Sequence, residues 1–320
     1  MGLLAWWLGA RTYDAPGPLT ADQDVLVPRA SVDQISTVLE QKRVVDNATS
    51  FRIAALLTRG QGAIKAGELR FPARASLRTV LEVLRSSKPV QHRLTVPEGL
   101  TAAQVVLLFE RAETAEGIAD IPAEGSVLPE TYAFDRGTAR SVLMDRATRA
   151  MSRALAAAWD ARAANLPLTS AHDALVLASI VERETAKPEE RPRIAAVFLN
   201  RLRRGMRLQS DPTVAYGAAG GLGGLDHGIT RAELERTDPY NTYRIVGLPL
   251  DPICMPGLAS LRAVTQPRAV TAGFEEYFFV ADGSGGHVFA RTEEEHERNV
   301  VRWREMERFR AGSRITAPAD

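Results

Sequence analysis

Two glutamates, Glu182 and Glu184, close the apolar run in "LVLASIVERETAKPEE" just before Pro188. A carboxyl at the end of a hydrophobic helix can do acid–base chemistry if the helix carries it into apolar surroundings. Side chains advance by about 100° per residue along an α-helix. With Ile180 at zero, Val176, Leu177 and Val181 fall between about −40° and 100° and form one apolar face. Glu184 falls near 40°, inside that face, and Glu182 falls near 200°, on the other side. By position alone, Glu184 extends the buried stripe and Glu182 does not. A carboxyl set into an apolar wall has its charged form disfavoured, so its pKa rises. That suits a general acid, which must hold a proton near neutral pH and then deliver it. Cleavage of a glycosidic bond is the reaction most associated with such a group. Two other readings stay open at this point: fraying toward Pro188 that lets Glu184 reach water, and pairing with Arg201 or Arg207.

Downstream, "RLQSDPTVAYG" and "DPYNTY" gather Gln209, Ser210, Asp211, Thr213, Tyr216, Tyr240, Asn241, Thr242 and Tyr243 on two segments read as irregular. Amide, hydroxyl and aromatic side chains together suit a polar ligand rich in hydroxyl and acetamido groups. The same residue types are routine in turns. Asp211, followed by Pro212, reads as a turn former rather than as a second catalytic carboxylate.

The elements that position these residues follow from caps and periodicity. "VLVPRASVDQISTVLEQ" and "LTVPEGLTAAQVVLLFER" each give a β-prone run, a Val-Pro, a capping Ser31 or Thr101, and a helix. "FRIAALLTRG" and "ASLRTVLEVLRSSK", the latter capped by Ser76, add two helices, so that residues 22–95 form a small α/β module. From Thr138 the chain is strongly helical: an Ala-rich helix ends before Pro167, the helix of Glu184 follows, and a third runs from about Pro188 to Arg204. "EEYFFVADGSGGHVFA" predicts a β-hairpin, followed by a charged terminal helix. Helices and strands come in blocks, which makes the fold class α+β, with a larger helix-rich domain over residues 96–320.

Composition narrows the function classes. A chain of 320 residues is long enough for two or three domains. Forty basic residues balance 39 acidic ones, for a net charge of +1, which argues against a dedicated nucleic-acid-binding face. Cys254 is the single cysteine. The five histidines are scattered without metal-ligand spacing, and no nucleotide or serine-hydrolase motif occurs, so neither metal nor cofactor is expected. At the N-terminus, "MGLLAWWLGARTY" is apolar but far short of the roughly 20 residues a spanning helix needs. It reads either as an apolar tail or, over residues 1–12, as the remnant of a membrane anchor with Trp6 and Trp7 near the interface.

Taken together, "EGSVLPETY", "ASIVERETAKPEERPRIAAVFLNRLRRGMRLQSDPTVAYG", "YNTYRIVGLPLDPICMPG" and "YFFVADGSGGHVFA" resemble the endolytic murein transglycosylases of the MltG (YceG-like) family. The match runs from about residue 25 to the terminal helix. The family's catalytic acid is the second glutamate of E-x-E-T, which falls on Glu184. The resemblance implies a LysM-like module over residues 22–95 and a transglycosylase domain after it. It also implies a single-pass anchor in the bacterial cytoplasmic membrane, with the catalytic domain on the outer side. The implied activity is cleavage within peptidoglycan strands between N-acetylmuramic acid and N-acetylglucosamine, leaving 1,6-anhydro ends and ending strand elongation. Peptidoglycan strands are then the substrate, and peptidoglycan synthases are expected partners. Three departures stand out. The anchor is incomplete, Glu130 stands in "LPET" where the family commonly has aspartate, and Cys254 has no family role and reads as a packing residue. His287 fits the terminal pattern and reads either as groove-lining or as structural. The alternatives are a muramidase-type hydrolase that uses water and a noncatalytic wall-binding scaffold.

Overall fold

The computed structural model describes residues 11–267 and 275–315. All but the last two residues of the expected anchor, including Trp6 and Trp7, lie outside them. Among the described residues, no helix is long and apolar enough to cross a membrane. The described residues divide into two compact units, one holding residues up to 93 with 113–116 and 133–139, and the other the remaining described residues.

The first unit is built on β1 (Gln23–Val27) and β2 (Gly67–Phe71), an antiparallel pair in which Gln23 faces Phe71 and Val27 faces Gly67. Alternation along β1 buries Val25 and Val27 and leaves Asp24 and Leu26 in solvent. Three helices cover this pair: α1 (Val32–Gln41), α2 (Ala48–Leu57) and α3 (Leu77–Ser86). Each starts on a side-chain cap, from Ser31, Asn47 and Ser76 respectively. These caps satisfy amide groups that a helix start otherwise leaves unpaired. Ile35, Leu39, Phe51, Leu69, Phe71, Leu81 and Leu84 close the core. A second two-stranded ribbon joins β3 (Gln91–Thr95) to β4 (Thr131–Asp135).

The second unit holds α4 (Ala102–Glu110), capped by Thr101, and α5 (Arg140–Asp160). At its centre is α6 (Ala171–Glu184), which packs against α5, α7 (Arg191–Arg203) and α10 (Leu258–Thr265). Every residue of α6 from Ala174 to Glu182 is buried, so the helix has no solvent face over that stretch, and only Arg183 after it is exposed. Leu175, Val176, Leu177, Ile180 and Val181 are worth about 1.5–3 kcal/mol each in removal from water. The expected terminal hairpin is present as β5 (Phe278–Ala281) and β6 (His287–Ala290), followed by α11 (Glu293–Ile315). The fold is α+β.

Two sequence expectations need correction here. The stretch from Asp211, read as irregular, is a helix, α8 (Asp211–Ala218). Pro212 sits in its first turn, where a missing N–H costs nothing. The helical wheel placed Glu182 away from the buried face, yet Glu182 is 8% exposed and Glu184 is the more open of the two. The wheel marks the strongest apolar face of a helix. It does not register that a second set of partners encloses the opposite face.

Candidate active site

Glu184 is the last residue of α6, and the backbone turns to extended geometry at Thr185. The helix therefore delivers its carboxyl to the edge of the packed core rather than into it. One oxygen accepts a hydrogen bond from the Ser210 hydroxyl at 2.5 Å. Burial pushes the Glu184 carboxyl up to about 7. The Ser210 bond pulls against that push, the charge on Asp211 adds to it, and Arg201 opposes it. A carboxyl raised into the neutral range is suited to donating a proton and later taking one back.

The floor beneath Ser210 is a closed set of hydroxyl bonds. Ser210 N–H donates to Thr242 Oγ1 at 2.9 Å, and the Ser210 carbonyl accepts from Thr213 Oγ1 at 2.7 Å. The Thr213 and Thr242 hydroxyls meet at 2.9 Å. Ser210, Thr213 and Thr242 are all at most 1% exposed, so Thr213 and Thr242 hold Ser210 in place from below. Asn241, also buried, donates to the carbonyls of Glu233, Leu234 and Arg236 and so ends the short helix α9 (Arg231–Glu235). Arg201, 6% exposed, donates to the carbonyls of Leu208 and Tyr277.

These groups border a cleft of about 420 Å³. Glu184, Arg201, Leu208, Gln209, Asp211 and Tyr243 line it together with Phe279, Val280, Ala281, His296, Val300 and Trp303. Gln209 is exposed there with a positive φ of 50°, in a backbone region few side chains adopt. The Tyr243 hydroxyl donates to Asp211 at 2.6 Å. Of the residues expected from sequence, Glu184, Ser210 and Gln209 come together at the cleft, with Thr213 and Thr242 beneath. Tyr216 and Tyr240 pack on each other elsewhere, ring centroids 4.9 Å apart, with the Tyr216 hydroxyl bonded to Glu124. Sequence offers Asp211 only as a turn former, Tyr243 as one of the gathered loop residues and Arg201 as a possible partner of Glu184, while the aromatic lining of the cleft does not stand out in it. The adjacency of Asp211 to Ser210 was the signal available for the first of them.

Glu182 has a different task. Arg191 donates to one oxygen at 2.7 Å, and Gly257 N–H and the Ser260 hydroxyl donate to the other at 2.9 and 2.8 Å. Burial pushes this carboxyl upward against those three donors. With both oxygens engaged, Glu182 ties the end of α6 to α7 and to the first turn of α10. The turn after Glu184 is fixed as well. Glu190 accepts bonds from the ring and backbone N–H of His287 on β6, at 2.7 and 3.0 Å, and from the Thr185 hydroxyl at 3.3 Å. Against the upward push of burial, the His287 bonds hold the Glu190 carboxyl below its ordinary value. His287 is therefore a structural partner of that turn. Cys254 is fully buried, with its sulfur beside the Ser179 carbonyl, as a packing residue would be.

An α+β chain whose larger unit holds one raised carboxyl at the mouth of a mixed polar and aromatic cleft can be compared with known proteins on that basis. The profile of the YceG-like family matches residues 25–302, and the chain belongs to that family. It is 30% identical to a protein from Streptococcus pneumoniae (strain D39) named endolytic murein transglycosylase, over 86% of this chain and 57% of that relative. A Bacillus subtilis protein of the same name is 32% identical over 55% of this chain and 47% of its own length. The crystal structure of a yceG-like protein from Listeria monocytogenes superposes with a TM-score of 0.53 at 28% identity, covering 87% of this chain and 98% of that one. The chain thus spans little more than half the length of the pneumococcal relative.

Proposed function

We propose that this chain is an endolytic peptidoglycan lytic transglycosylase, with Glu184 as its acid and base. The observation that carries the reading is the Glu184 carboxyl, raised to about 7 at the edge of a cleft. Similarity to proteins named endolytic murein transglycosylase supports it. Glu184 protonates the glycosidic oxygen between N-acetylmuramic acid and N-acetylglucosamine as the C1–O bond breaks. Positive charge builds at the anomeric carbon. The carboxylate left behind then takes the proton of the muramyl 6-hydroxyl, whose oxygen bonds to C1 and closes the anhydro ring. The proton returns to Glu184 and no water is consumed. One carboxyl serves both steps because the substrate supplies its own nucleophile. Ser210 orients Glu184, Thr213 and Thr242 hold Ser210, and Gln209 faces the cleft where a hydroxyl or acetamido group would sit. For Tyr216, Tyr240 and Asn241 the hydrogen bonds described above favour support of the surrounding loops over direct contact.

The wider setting belongs to the same proposal: a LysM-like first module, an N-terminal membrane anchor, a place on the outer side of the bacterial cytoplasmic membrane, and peptidoglycan synthases as partners. Digestion of purified glycan strands, with mass analysis of the ends, tests the chemistry. Wild type should leave anhydro-muramic ends, and Glu184→Gln should lower the rate at least about 100-fold. Reducing ends, heavier by one water, would instead make the enzyme a hydrolase. Full activity in a folded Glu184→Gln variant would remove the assigned acid.

A further inference from the structure

The C-terminal helix has no part in the steps above, yet one side of it borders the cleft. Along α11, His296, Val300 and Trp303 line the same cavity as Glu184. Spacings of four and three place them on a single stripe of the helix. The intervening Glu297, Arg298, Val301 and Arg302 are exposed. Trp303 is half-buried, with part of its indole held by protein and part open toward the cavity. The helix is held against the hairpin, where the His296 ring stacks on Phe278 with centroids 5.2 Å apart and planes 21° from parallel. A tryptophan serving only to fill a core would have apolar neighbours on every side. This one shares its cavity with a carboxyl, an amide and a phenol.

That division matches the chemistry of a pyranose. A sugar ring has a face of C–H bonds, which packs on an aromatic plane, and a rim of hydroxyls, which needs donors and acceptors. In the cleft the Trp303 indole lines the same cavity as Gln209, Asp211 and Tyr243.

We propose that Trp303 is a sugar-stacking residue, carrying on its indole face a pyranose ring of the glycan strand next to the bond that Glu184 cleaves. This rests on the reading of the cleft as a glycan-cleaving site. Trp303 then acts on strand binding and register rather than on proton transfer.

The test uses the full chain carrying Glu184→Gln, so that strands bind without being cut. Peptide-free glycan strands are titrated against this parent and against versions that also carry Trp303→Phe or Trp303→Ala. Tryptophan emission and co-sedimentation are followed. The parent's emission should shift on binding, and that shift should vanish with Trp303→Phe. Affinity should fall about tenfold with Trp303→Ala and recover in part with Trp303→Phe. Phenylalanine keeps a ring in place, so the emission result stands even if the alanine version melts. An emission shift that survives Trp303→Phe overturns the proposal, as does undiminished binding by a folded Trp303→Ala version. Trp303-dependent binding by a chain whose wild type cuts nothing would overturn the transglycosylase reading and leave standing only the stacking of a pyranose on Trp303. Cutting by wild type together with binding indifferent to Trp303 would overturn this one alone.

Discussion

At the scale of single residues, the proposed chemistry turns on the proton of Glu184. If protonated Glu184 starts the reaction, the rate should fall as pH rises through about 7. Two neighbours should move that fall in opposite directions. Asp211 pushes the Glu184 pKa up, so Asp211→Asn should bring the fall to lower pH. The Ser210 hydroxyl pulls it down, so Ser210→Ala should carry the fall to higher pH. Rate–pH profiles of the two variants check both signs, and shifts in the same direction would refute the arrangement. The raised carboxyl also costs stability. Its value rises from 4.5 to about 7 on folding, so between those values the folded chain binds more protons than the unfolded one. Stability from this group is therefore intact below about pH 4.5 and declines until the pH passes about 7. The full cost is on the order of 3 kcal/mol at most, and less to the extent that water reaches the group. Glu184→Gln should melt higher than wild type at pH 8, with the gap closing at pH 4, as thermal scans would record. Sequence pointed to Glu184 through both helical position and family pattern. It offered Asp211 only as a turn former, because the partner Tyr243 lies 32 residues further along the chain.

Among the elements, α6 decides where the acid sits, and Glu182 decides where α6 ends. Breaking a buried ion pair from one side leaves a charge without compensation. Arg191→Met should therefore cost about 3–5 kcal/mol, read from denaturant unfolding. Because the pair anchors α6 against α7 and α10, activity should fall with stability. Supplying Arg191→Met and Glu182→Gln together should restore part of both. Caps and periodicities made most helices and the terminal hairpin legible in sequence: Ser31, Ser76 and Thr101 cap where expected. Elements whose evidence is long-range were less visible. Helix α8 looks like a turn until Ser210, ahead of it, is seen bonded to Thr242. The burial of Glu182 depends on Gly257 and Ser260, more than 70 residues further on. The aromatic lining of the cleft combines a hairpin and a helix that sequence could find separately but not bring to the cavity of Glu184.

At the scale of the whole molecule, the two units have separate cores, one around Phe51 and Leu39 and the other around Ile180 and Phe198. Phe51 is fully buried, and Phe51→Ala should remove about 3–5 kcal/mol from the first unit. Calorimetry should then show one transition moving down while the other stays, with the cleavage rate of short glycan strands unchanged below the lower transition. A single transition shifted as a whole would mean that the units fold as one. The small difference between 40 basic and 39 acidic residues leaves no broad field to draw an anionic polymer in.

Because Glu184 closes a helix of 14 residues, it stands where the aligned peptide dipoles of α6 leave a partial negative charge, equivalent to about half an electron. That field opposes a second negative charge on the carboxyl and so favours the waiting proton. It also attracts positive charge, which is what develops at the anomeric carbon as the bond parts. The same helix end would thus help arm the acid and then steady the cation it creates, and its backbone would contribute to catalysis without any side chain beyond the one it presents.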